Sequence, residues 1–404
     1  MSQQNFKEND MPVPSYAWVI LAVAFFASVT APLAQFKVPP IMPVLMETFK
    51  LNLSSAGMLM SVFAITGFVL ALPAGMIMQK LGLKVTGLIA MGSIILGSIL
   101  GAIAHSSEIL LLSRVIEGIG MGLIAVVAPA SIAMWFPLEK RGVPMGIWAT
   151  WVPLGSVIMF LVAPAITSTY GWTTVWWFSA IFGAIAFVLV WLFLKPPSKN
   201  FQSHNNLKEP IKNQAIPLGQ ALMNRDIWLL GLLFGLFNLG TIAISTYYPT
   251  FLTDVRSYSM ASASTTSSIT MIMVLFSAPL AGWLSDKIGS RKKLFTWPFL
   301  IVAVMFLLPF TLEGIGIPAW LALMGMLAGM IPTATFSAAP EIMKKPELSG
   351  IGMAVVTLGQ NLGMFVGPII FAAIQETAGW SIAGYSMIPF LIIGFILGFF
   401  IRVR

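Results

Sequence analysis

Three ionisable residues fall where charge is expensive: Lys37, Arg114 and Glu117 each lie inside an apolar run. An ion at the centre of a hydrocarbon layer costs roughly 2.5–3.5 kcal/mol on insertion scales, so each is a candidate for function. Lys37 precedes Pro39 and Pro40. If its helix continues past the prolines toward Glu47, the ammonium sits about 15 Å below the outer end of that helix. There it faces a central cavity and attracts a carboxylate as a point charge. The competing reading is a lysine whose stem snorkels to the headgroups. Arg114 and Glu117 are three apart and share one helix face. Arg114 either contacts a substrate or packs its helix onto the first one. Glu117 is either the carrier of a coupled proton or a static partner of Arg114 or Lys37.

Uncharged polar groups form a second set. Asn238, Gln360 and Asn361 fall at similar depths in two later apolar runs, roughly 17 Å in at 1.5 Å per residue. They read as amides that orient a ligand, or as contacts between helices worth about 0.6 kcal/mol each. Trp151 and Tyr247 line a cavity or serve as packing and interface anchors. Other chemistries lack their residues. The chain has no cysteine, which removes disulfides, thiol catalysis and sulfur-ligated metals. His105 and His204 are far apart, so no metal is expected. The phosphate-binding pattern Gly-x-x-x-x-Gly-Lys-Ser/Thr is missing, which excludes ATP-driven pumping. No nucleophile–base pair suggests an enzyme, and no cofactor is implied.

The elements that must hold these groups follow from composition. The 404 residues are 58% hydrophobic and 9% charged, against about 25% charged in soluble domains. Apolar runs repeatedly reach about 20 residues, the length that crosses a bilayer. In lipid such runs must be helices, because every backbone polar group needs an internal partner. Twelve spans are expected, at 16–38, 54–78, 85–104, 109–134, 143–166, 173–195, 226–251, 262–284, 293–312, 317–341, 349–374 and 381–402. No cleavable leader is expected before the first. With both chain ends inside, only Lys50 and Arg256 of the 22 Lys and Arg fall in outside loops, and Lys37 and Arg114 within spans. That asymmetry sets the topology, with cytoplasmic termini, and accounts for the net charge of +8 without nucleic acid.

The chain reads as two halves, 1–194 and 226–404, joined by a polar, basic linker at 195–225. Gly75 and Gly82 recur as Gly282 and Gly289, Gly146 as Gly350, Pro164 as Pro368, and Gly171-Trp172 as Gly379-Trp380, at nearly one offset. Ordered matches of this kind indicate parallel duplication of a six-helix unit.

Gly282, Asp286, Lys287, Gly289, Arg291 and Lys292, at their spacing, resemble the loop motif of the major facilitator superfamily. Arg114, Gly118, Gly120 and Gly122 resemble that family's second motif. Residues 135–142 look like the oxalate–formate antiporter and related organic-anion carriers, and residues 221–228 look like the same group and cyanate- and nitrate-type permeases. The resemblance implies an all-α membrane protein whose two bundles rock about a midplane site. It also implies a gate built on Gly75, Gln79, Lys80, Gly82, Arg141, Gly282, Asp286, Lys287, Gly289 and Arg291. In the family the loop acid latches the inner ends of the two halves. Asp286 is expected to hold the start of the fifth span near Arg141, whereas Gln79 stands where the first-half motif has an acid, so the two latches are unequal.

The expected function is secondary transport of a small organic anion, a carboxylate, across the cytoplasmic (inner) membrane. It would be coupled to protons or to a counter-anion, by a monomer embedded in the lipid bilayer. Alternatives are drug efflux driven by protons, uptake of an inorganic anion such as cyanate or nitrate, or a receptor of transporter origin. The fifth span lacks the Gly-Pro signature common in drug exporters.

Overall fold

Pro39 and Pro40 decide the shape of the first span. Neither can donate a backbone hydrogen bond, and each ring crowds the carbonyl four residues back. Helix α1 (Ser15–Gln35) therefore stops short of them. The chain passes through a single 3-10 turn, Pro39–Ile41, and resumes as α2 (Met42–Phe49). Lys37 lies in the break between these pieces rather than on a continuous helix, and it is fully buried there. The structure is a computed structural model describing residues 13–71, 73–137, 140–197, 223–344 and 348–403, with the backbone alone for Asp286 and Ser349. Most of the expected linker, 198–222, lies outside the described residues, as does His204.

The second span is α3 (Leu53–Leu70) followed by α4 (Pro73–Leu81), the third α5 (Leu83–Ala102) and the fourth α6 (Ser107–Trp135). The fifth is broken at Thr150 into α7 (Gly142–Ala149) and α8 (Trp151–Tyr170), and α9 (Thr173–Phe193) is the sixth. Then come α10 (Arg225–Asp254), α11 (Met260–Ile288), α12 (Arg291–Met305), α13 (Gly316–Met343) and α14 (Ser349–Ala378). The last span is α15 (Trp380–Ser386) and α16 (Ile388–Phe400). Among the described residues there is no strand. Asn52, Ser106, Asn224, Ser259 and Ser290 cap α3, α6, α10, α11 and α12 through their side-chain oxygens, satisfying donors that a helix start leaves open.

Eleven helical segments of the described chain are long and apolar enough to cross a membrane. The expected ninth span is the exception. Its helix α12 has 15 residues, about 22 Å at 1.5 Å per residue, against a hydrocarbon layer of about 30 Å. Pro309 is the cause: it cannot donate to the Met305 carbonyl, which instead accepts from the Leu308 N–H at 3.1 Å and from the Trp320 indole at 2.9 Å. The chain continues from there in turns.

Helices α1, α3, α5, α6, α8 and α9 pack among themselves, and so do α10 to α14 and α16. The two sets meet along α3 against α14 and α8 against α11, with the Pro39–Ile41 turn touching α8, α10 and α11. The described residues begin and end on one face, where Tyr16 donates to the Phe193 carbonyl and Lys292 to the Ile401 carbonyl. The repeated Gly171 and Gly379 share a φ of +84°, a conformation open to glycine, each turning the chain into the span that follows. Trp18, Leu96, Ile181, Trp283 and Phe399 are exposed apolar groups around the outside, as expected of a lipid-facing surface.

Candidate functional site

The break in the first span is repaired by a residue from the fourth. Pro39 has no N–H to give the Gln35 carbonyl, and Arg114 supplies one: Nη2 donates to Gln35 at 2.9 Å and Nη1 to the Ala34 carbonyl at 2.6 Å. Its Nε donates to the Leu59 carbonyl of α3 at 3.0 Å. The guanidinium also covers the Phe63 ring at 4.6 Å. Freed carbonyls in a membrane need such replacement donors. Four of the five N–H groups of Arg114 are thus engaged once its ion pair with Glu117 is included.

Glu117 sits between two cations. Its Oε2 accepts from Arg114, and its Oε1 accepts from the Lys37 ammonium at 2.6 Å and from the Ser98 hydroxyl at 2.6 Å. The Lys37 ammonium lies 4.5 Å from the centre of the Trp176 ring and 3.5 Å from Ser98 Oγ. All three charged side chains have no exposure. Gly97 makes room for the carboxylate: a Cβ there would stand 2.6 Å from Glu117 Cγ and 2.7 Å from the Ser113 carbonyl. The cluster carries two cations and one anion, so its formal charge is +1.

The other sequence-derived candidates do not join it. Trp151 is buried and stacks on Trp148 at 5.7 Å, while Trp148 donates to Ser28 at 2.9 Å. Asn238 donates to the Phe234 carbonyl and Asn361 to the Thr357 carbonyl, each one turn back on its own helix. Gln360 is half-buried. Tyr247 donates to the Pro368 carbonyl at 3.0 Å and stacks on Phe371. Its hydroxyl fills the space over Gly57 of α3, and the Asn361 side chain fills the space over Gly67.

The expected gate is divided between ordinary helix ends and positions outside the description. Gly75, Gln79 and Lys80 lie on α4, and Gly82 turns the chain into α5 with φ +82°. Gly289 terminates α11 in the left-handed conformation, φ +65°. Lys287 covers the Trp283 ring at 4.9 Å. Arg291 pairs with Glu341 of α13 at 2.7 Å. Arg141 donates to the Ala133 and Phe136 carbonyls at the end of α6, and the Asp286 side chain lies outside the described ones. Gly75, Gly146, Gly282 and Gly350 meet no heavy atom within 4 Å of an added Cβ.

Ser98, Trp176 and the Gly97 seat were missed in the sequence. Trp176 is fully buried with Lys37 above its ring, and the neighbouring Trp177 is exposed. A Gly-Ser pair inside the third span, facing a run with a buried acid, was the available signal for the seat.

The family model of the Major Facilitator Superfamily matches residues 24–343 and 259–404. The chain belongs to this superfamily, which makes it a multi-pass membrane carrier and not an enzyme. It is 25% identical over 272 residues to the hexuronate transporter of Bacillus subtilis, across 65% of this chain and 64% of that protein. It is 25% identical over 351 residues to the probable nitrate transporter NarT of Staphylococcus carnosus, across 85% of each chain. It is 23% identical over 194 residues to the chloroplastic probable anion transporter 4 of Oryza sativa subsp. japonica, across 45% of this chain and 32% of that protein. The chain therefore spans just under two thirds of the first of these relatives.

Proposed function

We propose that this protein is a secondary carrier of a small anion, with residues 1–194 and 226–404 as its two moving bundles and the chain ends on the cytoplasmic side of the cell membrane. The observation that carries the reading is the buried excess of positive charge at Lys37, Arg114 and Glu117. Burying an uncompensated charge costs several kcal/mol, roughly, so such a site gains from an anion that completes it. The names of the relatives, a hexuronate, a nitrate and an anion transporter, point the same way.

The two cations divide the work. Arg114 is committed to backbone carbonyls on two other spans and acts as scaffold. Among the described residues Lys37 has only Glu117 and Ser98 as hydrogen-bond partners, and it is the group that can change partner. A substrate carboxylate takes the place of Glu117 Oε1 on the ammonium when the bundles part. Protonating Glu117 removes the competing charge, which couples uptake to protons; exchange of one anion for another needs no such step. In this reading Gln360, half-buried in α14, orients the substrate from the other half, and Trp151, Asn238, Tyr247 and Asn361 shape the walls.

Purified protein in liposomes tests this with glucuronate, nitrate and a neutral hexose. Wild type takes up an anion and not the hexose, and Lys37→Gln loses that uptake at least tenfold while remaining folded. Unchanged anion binding in Lys37→Gln overturns the site. In Glu117→Gln, uptake driven by a pH gradient becomes independent of it; an unaltered pH response removes Glu117 from coupling. A second reading, uptake of an inorganic anion, is favoured by the 85% coverage of the probable nitrate transporter, and competition between glucuronate and nitrate separates the two.

A further inference from the structure

The acid Glu376 sits in the last turn of α14, where its own helix end is electrically negative and repels it. Its partner belongs to the other set of helices. Glu376 Oε1 accepts from the Ser54 backbone N–H at 2.8 Å, in the first turn of α3 and 322 residues away in sequence. A helix start leaves its first N–H groups without partners. On α3 two acceptors divide them: Asn52 takes the Ser55 N–H at 2.9 Å and Glu376 takes that of Ser54. The positive end of α3 thus holds an anion delivered from across the interface.

The same helix is docked at two further points, with Gly57 beneath the Tyr247 hydroxyl and Gly67 beneath the Asn361 amide. The α8–α11 interface carries a parallel contact, the Ser264 hydroxyl on the Phe160 carbonyl. Ser54 lies in the first turn of α3 and Ser264 in the second turn of α11, helices that start on the face away from the chain ends. On the chain-end face, by contrast, a Cβ added at Gly75, Gly146, Gly282 or Gly350 would have no heavy atom within 4 Å, so these positions make no close contact. The mouth away from the chain ends is closed.

We propose that Glu376 is the positioning residue that latches this mouth, by capping α3 from the opposite bundle. The latch is an ion on a helix end, so this contact separates by letting water replace it. The inference requires a rocking carrier but not the anion reading, and its test uses no substrate.

The native chain has no cysteine, so single thiols can be placed without further change. Ser264→Cys reports on the closed mouth, and Gly146→Cys, in separate protein, reports on the chain-end face. A membrane-impermeant maleimide is applied from the matching side. Glu376→Gln raises the labelling rate at Ser264→Cys about two- to fivefold, the size expected for one anion at a helix terminus, and lowers it at Gly146→Cys. Ser54→Pro, at a first-turn position where proline is tolerated, deletes the donor and gives the same pair of changes. Combining it with Glu376→Gln adds nothing, and Glu376→Asp falls between wild type and Glu376→Gln. Equal rates in wild type and Glu376→Gln overturn the latch. Additive effects of the two variants also overturn it, as does a rise at both reporters, which marks loosened packing. If Glu376→Gln fails to insert, the Ser54→Pro pair of rates decides alone.

Discussion

The first and seventh spans hold matching places in the repeat, yet they are fastened by opposite means. The first is tied to its neighbours by ions: Arg114 reaches α1 and α3, and Lys37 and Ser98 close on Glu117. The seventh, α10, is tied to α14 by missing side chains. A Cβ on Gly359, Gly363 or Gly367 would stand 1.9, 2.0 or 2.1 Å from the Gly231, Gly235 or Leu239 carbonyl. Backbones that touch this closely pack by dispersion and weak polar contacts, the usual cement of helices in lipid. The difference separates two demands on a carrier. A glycine ladder is indifferent to protons and anions, so in the proposed cycle it suits a bundle that stays rigid while the other changes its charge partners.

That contrast can be broken at either end. Glu117→Ala, which strands two buried cations, should cost about 3–5 kcal/mol and give the largest fall in thermal midpoint in detergent; a fall no larger than a surface variant's would mean that ions do not hold the first span. Gly363→Val drives a branched side chain onto a backbone carbonyl and should cost about 2–3 kcal/mol, with a midpoint that does not vary with pH. A pH-dependent loss there would erase the distinction between the halves. Gly97→Ala should cost least, about 1–2 kcal/mol, because Glu117 can shift. It sharpens the comparison, since anion affinity should change along with the midpoint; an unchanged affinity would detach the Gly97 seat from binding.

The ions announced themselves in the sequence because charge in an apolar run has no cheap explanation, and so Lys37, Arg114 and Glu117 were singled out. Their partners were hidden. The carbonyls of Ala34, Gln35 and Leu59 belong to every residue alike, and only the packed arrangement selects them. Spans were legible from apolar length, but apolar length alone passed over Pro309, the helix breaker inside the expected ninth span that shortens it. Asn238 and Asn361 invited a binding role as polar groups at depth, although each first satisfies its own helix. Glycines at 57 and 67 drew no reading from the sequence, because the tyrosine and asparagine that dock on them come from distant parts of the chain.

The repair of the first span has a consequence for how the protein is made. The Gln35 carbonyl receives its donor from a residue 79 positions later. At about 5–20 residues per second, synthesis needs roughly 4–16 s to deliver Arg114. During that interval the nascent first span carries an unpaired acceptor beside the Lys37 charge, which disfavours its seating in lipid alone. Its final seating awaits the fourth span, so biogenesis of the first four spans is a joint event, completed when one guanidinium enters the membrane.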